Sequence, residues 1–447
     1  MNRRSFLYQL AVGGTALTFL PWACQRKSDT EILILGGGLA GLYLAYLLEE
    51  AGRDYILLEG SDRLGGRLFT HKKLSREVGG RGIGDKYTEV MKLIEALGIE
   101  LTDITEFMGS PSALYREGIL YKTWPDPATN PSRLEFSRLA EAPALDQLNG
   151  WYQRPDLDMP YADFLTQLGH SPAEIDLINI SANYNDVYET SAINSLHSRA
   201  FRQFNGTRRI FNFKNSSADL IAAITATLSR PVYTGKMVKS IIDDGSAIEV
   251  KCADGSSYRA HKVVSTLPFS TLREVGIEGS LSDAHQSLIQ ELGYTKITQI
   301  HLQADEPYWE EDGLPTSMWT DTELERVMRL NPHPEAGELV CWVNGKGTAF
   351  FDQMSDQEIA AFTLKELREI RPSTEGRVSY VGAHNWGLYP YNKGAYAEFL
   401  PGQASLFATA TQPAGNIHFA GEHMALESRG IEGAAESARR VFEELVN

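Results

Sequence analysis

Residues 31–59 read EILILGGGLAGLYLAYLLEEAGRDYILLE, and the rest of the chain is organised around them. An apolar run over 32–35 enters Gly36-Gly37-Gly38-Leu39-Ala40-Gly41, and an amphipathic stretch continues to about residue 51. A second apolar run over 55–58 ends on an acid, Glu59. Strand, glycine turn, helix, strand is the order of a dinucleotide-binding βαβ unit. Gly36 allows the tight turn, Gly38 lets the backbone approach a pyrophosphate, and Gly41 lets the helix pack close to the strand. Ala40 lies in the same turn. The helix N-terminus then faces the phosphates with unpaired N–H groups and the positive end of its dipole. Glu59, followed by Gly60, is placed to hold a ribose 2′-hydroxyl, which argues against a 2′-phosphate and so against NADP.

Directly after Glu59 the run LLEGSDRLGGRLFT, which includes Arg67, resembles the flavin-containing amine oxidase family. Near the other end, Ile417-His418-Phe419-Ala420-Gly421-Glu422-His423 and Glu432-Gly433-Ala434 resemble that family's second flavin-binding motif. The resemblance covers nearly the whole mature chain. It implies FAD, with Gly421, Glu422, Gly430, Ile431 and Glu432 among its contacts. It also implies that Gly79 and Gly80 pass the flavin ring, followed by Arg81 and Gly82, and that the backbone of Val238 meets the adenine. Arg81 is open to two roles, holding the flavin's polar edge or a substrate carboxylate, beside that of an ordinary surface arginine; Arg429 is a further candidate for an acidic group. The implied fold is α/β: a Rossmann-like FAD-binding domain over 31–103, 206–288 and 396–447, with a discontinuous α+β substrate domain over 104–205 and 289–395.

The composition narrows the partners. The formal charge of -16 over 447 residues, with no basic cluster, makes nucleic acid an unsuitable partner. The three cysteines, Cys24, Cys252 and Cys341, form no disulfide framework and no zinc spacing, and no metal site is expected. The N-terminus resembles a twin-arginine export signal over 1–24: Arg3-Arg4-Ser5-Phe6-Leu7 precedes a short uncharged stretch. Cys24 imperfectly matches a lipoprotein cleavage site. The expected location is therefore the periplasm, with the membrane touched only through the signal or a lipid on Cys24.

The chemistry is expected where two substrate-domain segments meet the flavin. Residues 104–205, rich in proline and aromatics (Tyr115, Trp124, Trp151, Tyr161), look like an inserted lid in which short helices replace strands. In LGYTKITQIHLQADEPYW, the position that the family usually fills with lysine is Gln299, counted back from Trp309 without gaps; Lys296 lies three residues earlier. In WGLYPYNKGAY, Tyr396 matches the aromatic wall beside the flavin, and Ala395 stands where relatives with covalent flavin carry cysteine, so the FAD is expected to be non-covalent. Gly430 stands where many amine oxidases place a second aromatic. The expected activity is oxidation of the C–N bond of an amine or amino acid by hydride transfer to flavin N5. The electrons would then pass to O2 or to another extracytoplasmic acceptor. Two alternatives stand beside it: an FAD-dependent desaturase or dehydrogenase acting on a C–C bond or ring, and a non-catalytic FAD-bound binding protein.

Overall fold

The computed structural model describes residues 29–123, 138, 150–279, 281–333 and 337–446. The expected export signal, with Arg3, Arg4 and Cys24, lies outside them, as does Trp124. Among the described residues no helix is long and apolar enough to cross a membrane.

The quoted stretch forms strand Thr30–Leu35, helix Leu39–Glu50 and strand Tyr55–Leu58. The two strands pair in parallel, Ile32 opposite Tyr55 and Leu35 opposite Leu58. Val232–Tyr233 extends this sheet on one side. On the other, Thr30–Leu35 pairs in parallel with Ser257–Ser265, whose second half takes Ile417–Phe419 along its far edge. The first half of Ser257–Ser265 turns instead to the antiparallel Ile248–Cys252, across the hairpin signalled by Asp254-Gly255. One sheet is thus built from stretches at the start, middle and end of the chain.

Alternation along the first strand divides the core, because successive strand side chains point to opposite faces. Ile32 and Ile34 pack beneath helices Leu39–Glu50, Thr88–Leu97, Ser217–Thr227 and Gly430–Val446. Leu33 and Leu35 join the opposite layer, with Trp151, Tyr161, Phe269 and Phe407. Helix Leu39–Glu50 is not amphipathic as its pattern had implied. Nine of its twelve residues are buried, since outer helices cover the face turned away from the sheet. The last helix begins at Gly430, five residues before the apolar periodicity of 435–446 becomes evident.

A second, seven-stranded sheet runs in the order Val378–Asn385, Ile297–Ala304, Glu338–Asn344, Arg326–Arg329, Ser317–Thr320, Ser112–Arg116, Ile119–Tyr121. The last two strands come from the segment read as helical. Ile300, Leu302, Val327 and Cys341 pack on one face against helix Asp356–Ile370. The alternate residues, Ile297, Gln299, Met328 and Trp342, look across a cavity toward the first domain.

Gly41 fixes how the first strand meets its helix. A Cβ at this position would lie 2.0 Å from the carbonyl oxygen of Gly36, a distance no side chain can occupy. Overpacking of this kind costs about 1–3 kcal/mol even where neighbours can give, and here the neighbour is backbone. Gly41→Ala is therefore expected to lower the melting temperature by several degrees and Gly41→Val to abolish soluble expression. Thermal unfolding followed by circular dichroism checks the first, and the soluble fraction of the expressed chain checks the second.

Candidate active site

A single cavity of about 780 Å³ runs from the glycine turn to the seven-stranded sheet. It falls within the size range of cofactor sites. Gly36, Gly38, Ala40, Glu59, Gly60 and Arg67 line its first part, and Val238 borders the same region. Gly79, Gly80, Arg81 and Gly82 form a strip along the middle, faced by Gly421, Glu422, Gly430 and Ile431. Gln299 and Tyr396 close the far end, with Trp342 and Trp386.

The first part has the shape and donors that FAD needs. Gly38 has an extended backbone any residue can adopt (φ -75°), and a Cβ there would meet nothing nearer than Gly66 Cα at 3.8 Å. The protein itself has no use for a glycine at 38; the space opens into the cavity, where a pyrophosphate would lie. The unpaired N–H groups at the start of Leu39–Glu50 point there. Glu59 is buried and fixed: it accepts from the Gly37 N–H at 2.7 Å, and from the backbone N–H and hydroxyl of Ser61, each at 2.7 Å. Thr266 clamps the turn from the neighbouring strand, donating to the carbonyls of Leu35 (2.9 Å) and Gly36 (3.1 Å).

Arg67 joins the two ends of the chain beneath the cavity. It donates to the Ala395 carbonyl at 2.9 Å and pairs with Glu422 at 3.1 Å, which also accepts from the Ala397 N–H at 3.2 Å. Gly430, in the left-handed region at φ 58°, starts the last helix with its N-terminus at the cavity. The positive end of a helix dipole, equivalent to roughly half a charge, stabilises an anion placed there.

Gly41 does what was expected of it, letting the helix pack against the end of the strand at the Gly36 carbonyl, and it does not border the cavity. Three other residues expected at the site stand elsewhere. Glu432 turns away from the cavity and is buried against helix Thr88–Leu97, accepting from the N–H groups of Thr88 (2.6 Å), Glu89 (2.8 Å) and Val90 (3.0 Å). Its carboxylate serves the unpaired donors of a helix start. Lys296 is exposed at the junction just before strand Ile297–Ala304, its backbone N–H bonded to Asn185 Oδ1 at 2.9 Å, and does not border the cavity. Arg429 is also engaged elsewhere, donating to the carbonyls of Asn194 (3.0 Å) and Ala397 (3.3 Å).

At the far end one carbonyl gathers the groups. Val78 O accepts from the Gln299 amide at 3.1 Å and from the Trp386 indole at 3.0 Å. Trp342 stands directly across the sheet from Gln299. Tyr396 donates to the Asn183 carbonyl at 2.7 Å, and Arg326 holds the same asparagine through its side-chain oxygen at 2.8 Å. Burial pushes the Tyr396 hydroxyl well above the ordinary phenol range, so it stays protonated. Three arginines line the cavity without an ion pair among the described residues: Arg63, Arg81 and Arg329. Arg63 is taken up locally, donating to the Gly66 carbonyl at 2.8 Å and lying over the Phe69 ring. Arg81 donates to the Glu77 carbonyl and leaves its Nε unpartnered. Arg329 lies with its guanidinium carbon 4.8 Å from the centre of the Phe107 ring. Burial lowers the pKa of both. Arg329, Trp342 and Thr266 escaped the sequence. Period-two alternation from Gln299 was the available signal within its own strand, but nothing marked which other strands would lie beside it.

Residues 39–445 match the family of flavin containing amine oxidoreductases. The chain is 26% identical over 434 residues to (S)-6-hydroxynicotine oxidase of Paenarthrobacter nicotinovorans, a match spanning 91% of this chain and 97% of that protein. It is 25% identical over 470 residues to a flavin-dependent L-tryptophan oxidase of Lentzea aerocolonigenes, spanning 93% and 97% respectively. Among solved structures it resembles cyclohexylamine oxidase from Brevibacterium oxydans with a TM-score of 0.78 at 18% identity, over 93% of this chain and 98% of that one.

Two outcomes are expected for the cofactor. Gly38→Val should fold as wild type and lose its flavin, in contrast to Gly41→Val. Flavin absorbance per protein in the purified variant checks this, and full occupancy would exclude the turn as the phosphate site. Acid precipitation should leave the pellet colourless and the supernatant yellow, because Ala395 offers no thiol and the two described cysteines, Cys252 and Cys341, do not line the cavity.

Proposed function

We propose that this chain, which belongs to the flavin-containing amine oxidoreductase family, oxidises the C–N bond of an amine that also carries an acidic group, as an amino acid does. It is an FAD enzyme acting on amines or amino acids, which sets aside the non-catalytic alternative. The choice between the two substrate kinds is carried by one observation: of the three arginines that line the cavity without an ion pair among the described residues, Arg63 is taken up by the Gly66 carbonyl and the Phe69 ring, which leaves Arg81 and Arg329 with no paired carboxylate. Burying an unpaired charge is costly, and a substrate carboxylate offsets that cost on arrival.

FAD held along Gly38, Glu59, Arg67 and the Gly79-Gly80 strip would supply the hydride-acceptor chemistry for the carbon that bears the amine. The protein orients and insulates. Tyr396, held by Asn183, forms one wall over the reacting carbon, and Trp342 forms part of the floor. The nitrogen gives up one proton as the imine forms, and water then hydrolyses the imine. A neutral amine needs no protein base for hydride loss. The start of helix Gly430–Val446 favours the negative charge that accompanies flavin reduction. The desaturase alternative retains one feature in its favour: Gly430 leaves open space where a second aromatic wall would stand.

Two further parts of the proposal rest on single residues. Gln299 brings no charge to the cavity and Lys296 is outside it, which favours an electron acceptor other than O2. Export by the twin-arginine route, with a lipid on Cys24, rests on the sequence Arg3-Arg4-Ser5-Phe6-Leu7 and on Cys24 itself.

Anaerobic mixing with matched pairs, an L-amino acid and the amine formed by removing its carboxylate, tests the proposal at the flavin's visible band. The acid should bleach the flavin and the amine should not. Arg329→Met should raise the half-saturating concentration of the acid about tenfold or more, the worth of a hydrogen bond to a charged group. Bleaching by the amine alone would remove the acidic requirement, and bleaching by neither would remove C–N oxidation. Admitting O2 then reads the acceptor: reoxidation should be slow in wild type and Lys296→Met, and faster in Gln299→Lys.

A further inference from the structure

His301 is completely buried, two residues along the strand from Gln299 and on the same face. It does not line the cavity, and the chemistry above makes no use of it. Its Nε2 stands 3.2 Å from Gln299 Oε1, while the amide nitrogen of Gln299 lies 3.1 Å from the Val78 carbonyl. These contacts determine where the protons are. A carbonyl only accepts, so the NH2 group of Gln299 must face Val78. That turns Oε1 toward His301, and Oε1 also only accepts, so His301 must carry its proton on Nε2. The ring is held neutral, its pKa lowered to about 3 by burial and then by the nearby charges of Arg81 and Arg76. Nδ1 is left as a buried acceptor without a partner. A reversed amide would set Gln299 Oε1 against the Val78 carbonyl, two acceptors with no proton between them, whichever tautomer the imidazole took. The Val78 carbonyl is doubly engaged, because Trp386 also donates to it at 3.0 Å.

We propose that His301 is a positioning residue: by donating to Gln299 Oε1 it holds in place the amide that the Val78 carbonyl orients, with the second N–H of Gln299 presented to the cavity. No acceptor among the described residues takes that N–H, while Gln299 itself borders the cavity. The site therefore offers a fixed neutral donor beside the flavin strip Val78–Gly79–Gly80. The donor serves an acceptor atom on FAD, or a water held against it. The inference extends the FAD-enzyme assignment to a residue outside the cavity wall, and it stands apart from the choice of substrate.

A double-mutant cycle on the holoenzyme tests it. His301→Met removes the donor at similar bulk, His301→Gln keeps a donor of similar reach, and each is made with Gln299 and with Gln299→Leu. The readouts are the FAD dissociation constant and the rate of anaerobic reduction by the best substrate. With Gln299 present, His301→Met should weaken FAD binding or slow reduction by about three- to tenfold, as loss of one buried hydrogen bond does. His301→Gln should restore most of the loss, and in the Gln299→Leu background His301→Met should change neither quantity. An equal effect of His301→Met in both backgrounds would mark His301 as mere packing and overturn the proposal, as would no effect with Gln299 present. If His301→Met does not fold, His301→Gln decides, since a shift as large as that of Gln299→Leu would equally overturn it. The dissociation constant needs no substrate, so the failure of every amine to reduce the flavin would leave this test intact.

Discussion

A carbonyl oxygen occupies the space that a side chain at residue 41 would need. Because Gly41 has no Cβ, helix Leu39–Glu50 lies against the end of strand Thr30–Leu35, and its free N–H groups open beside Gly38. The remaining parts of the first domain hold that arrangement still. Thr266 ties the turn to the neighbouring strand, and Glu59 ties it to the second. The outer helices bury the first helix nearly all round, so it cannot lift away. A phosphate site of this kind needs no dedicated cation, since backbone dipoles supply the field.

The far end of the cavity depends on a different kind of contact. Two side chains of the substrate domain share a single acceptor, Val78 O, on the strip that runs past the flavin position. Arg67 and Glu422 make the matching bond between the first and last motifs. Both contacts are partly or wholly buried and charged or dipolar, so each is stronger than its counterpart in water and costlier to leave unmade. The reacting end is thereby given a fixed width. Tyr396 and the positive start of the last helix border that same cavity.

What could be seen in the sequence and what could not divide along physical lines. The glycine turn, the acid after the second strand and the Asp254-Gly255 hairpin were legible because each is a local demand of backbone geometry. Gln299 was legible as a cavity residue by ungapped counting, and Lys296, three residues earlier, falls just before the strand begins and is exposed. Glu432 was misleading. Its motif adjoins the flavin, but the side chain serves the start of helix Thr88–Leu97, far away in sequence, and no local pattern announces such a partner. The strands Ser112–Arg116 and Ile119–Tyr121 form a local hairpin hidden among prolines and aromatics, and the strand that joins it to the sheet, Ser317–Thr320, lies two hundred residues on. Arg329 was hidden for a related reason: only the assembled sheet shows that its charge is unpaired.

The parallel sheet takes one of its strands, Ile417–Phe419, from near the end of the chain, and the helix that faces the cavity, Gly430–Val446, comes later still. The glycine turn and the helix that faces it across the cavity are thus separated by about four hundred residues of sequence. A chain broken off anywhere before residue 417 lacks the edge strand, the Arg67–Glu422 bond and the positive helix start together. Retention of FAD would in this sense report that the first and last motifs have met.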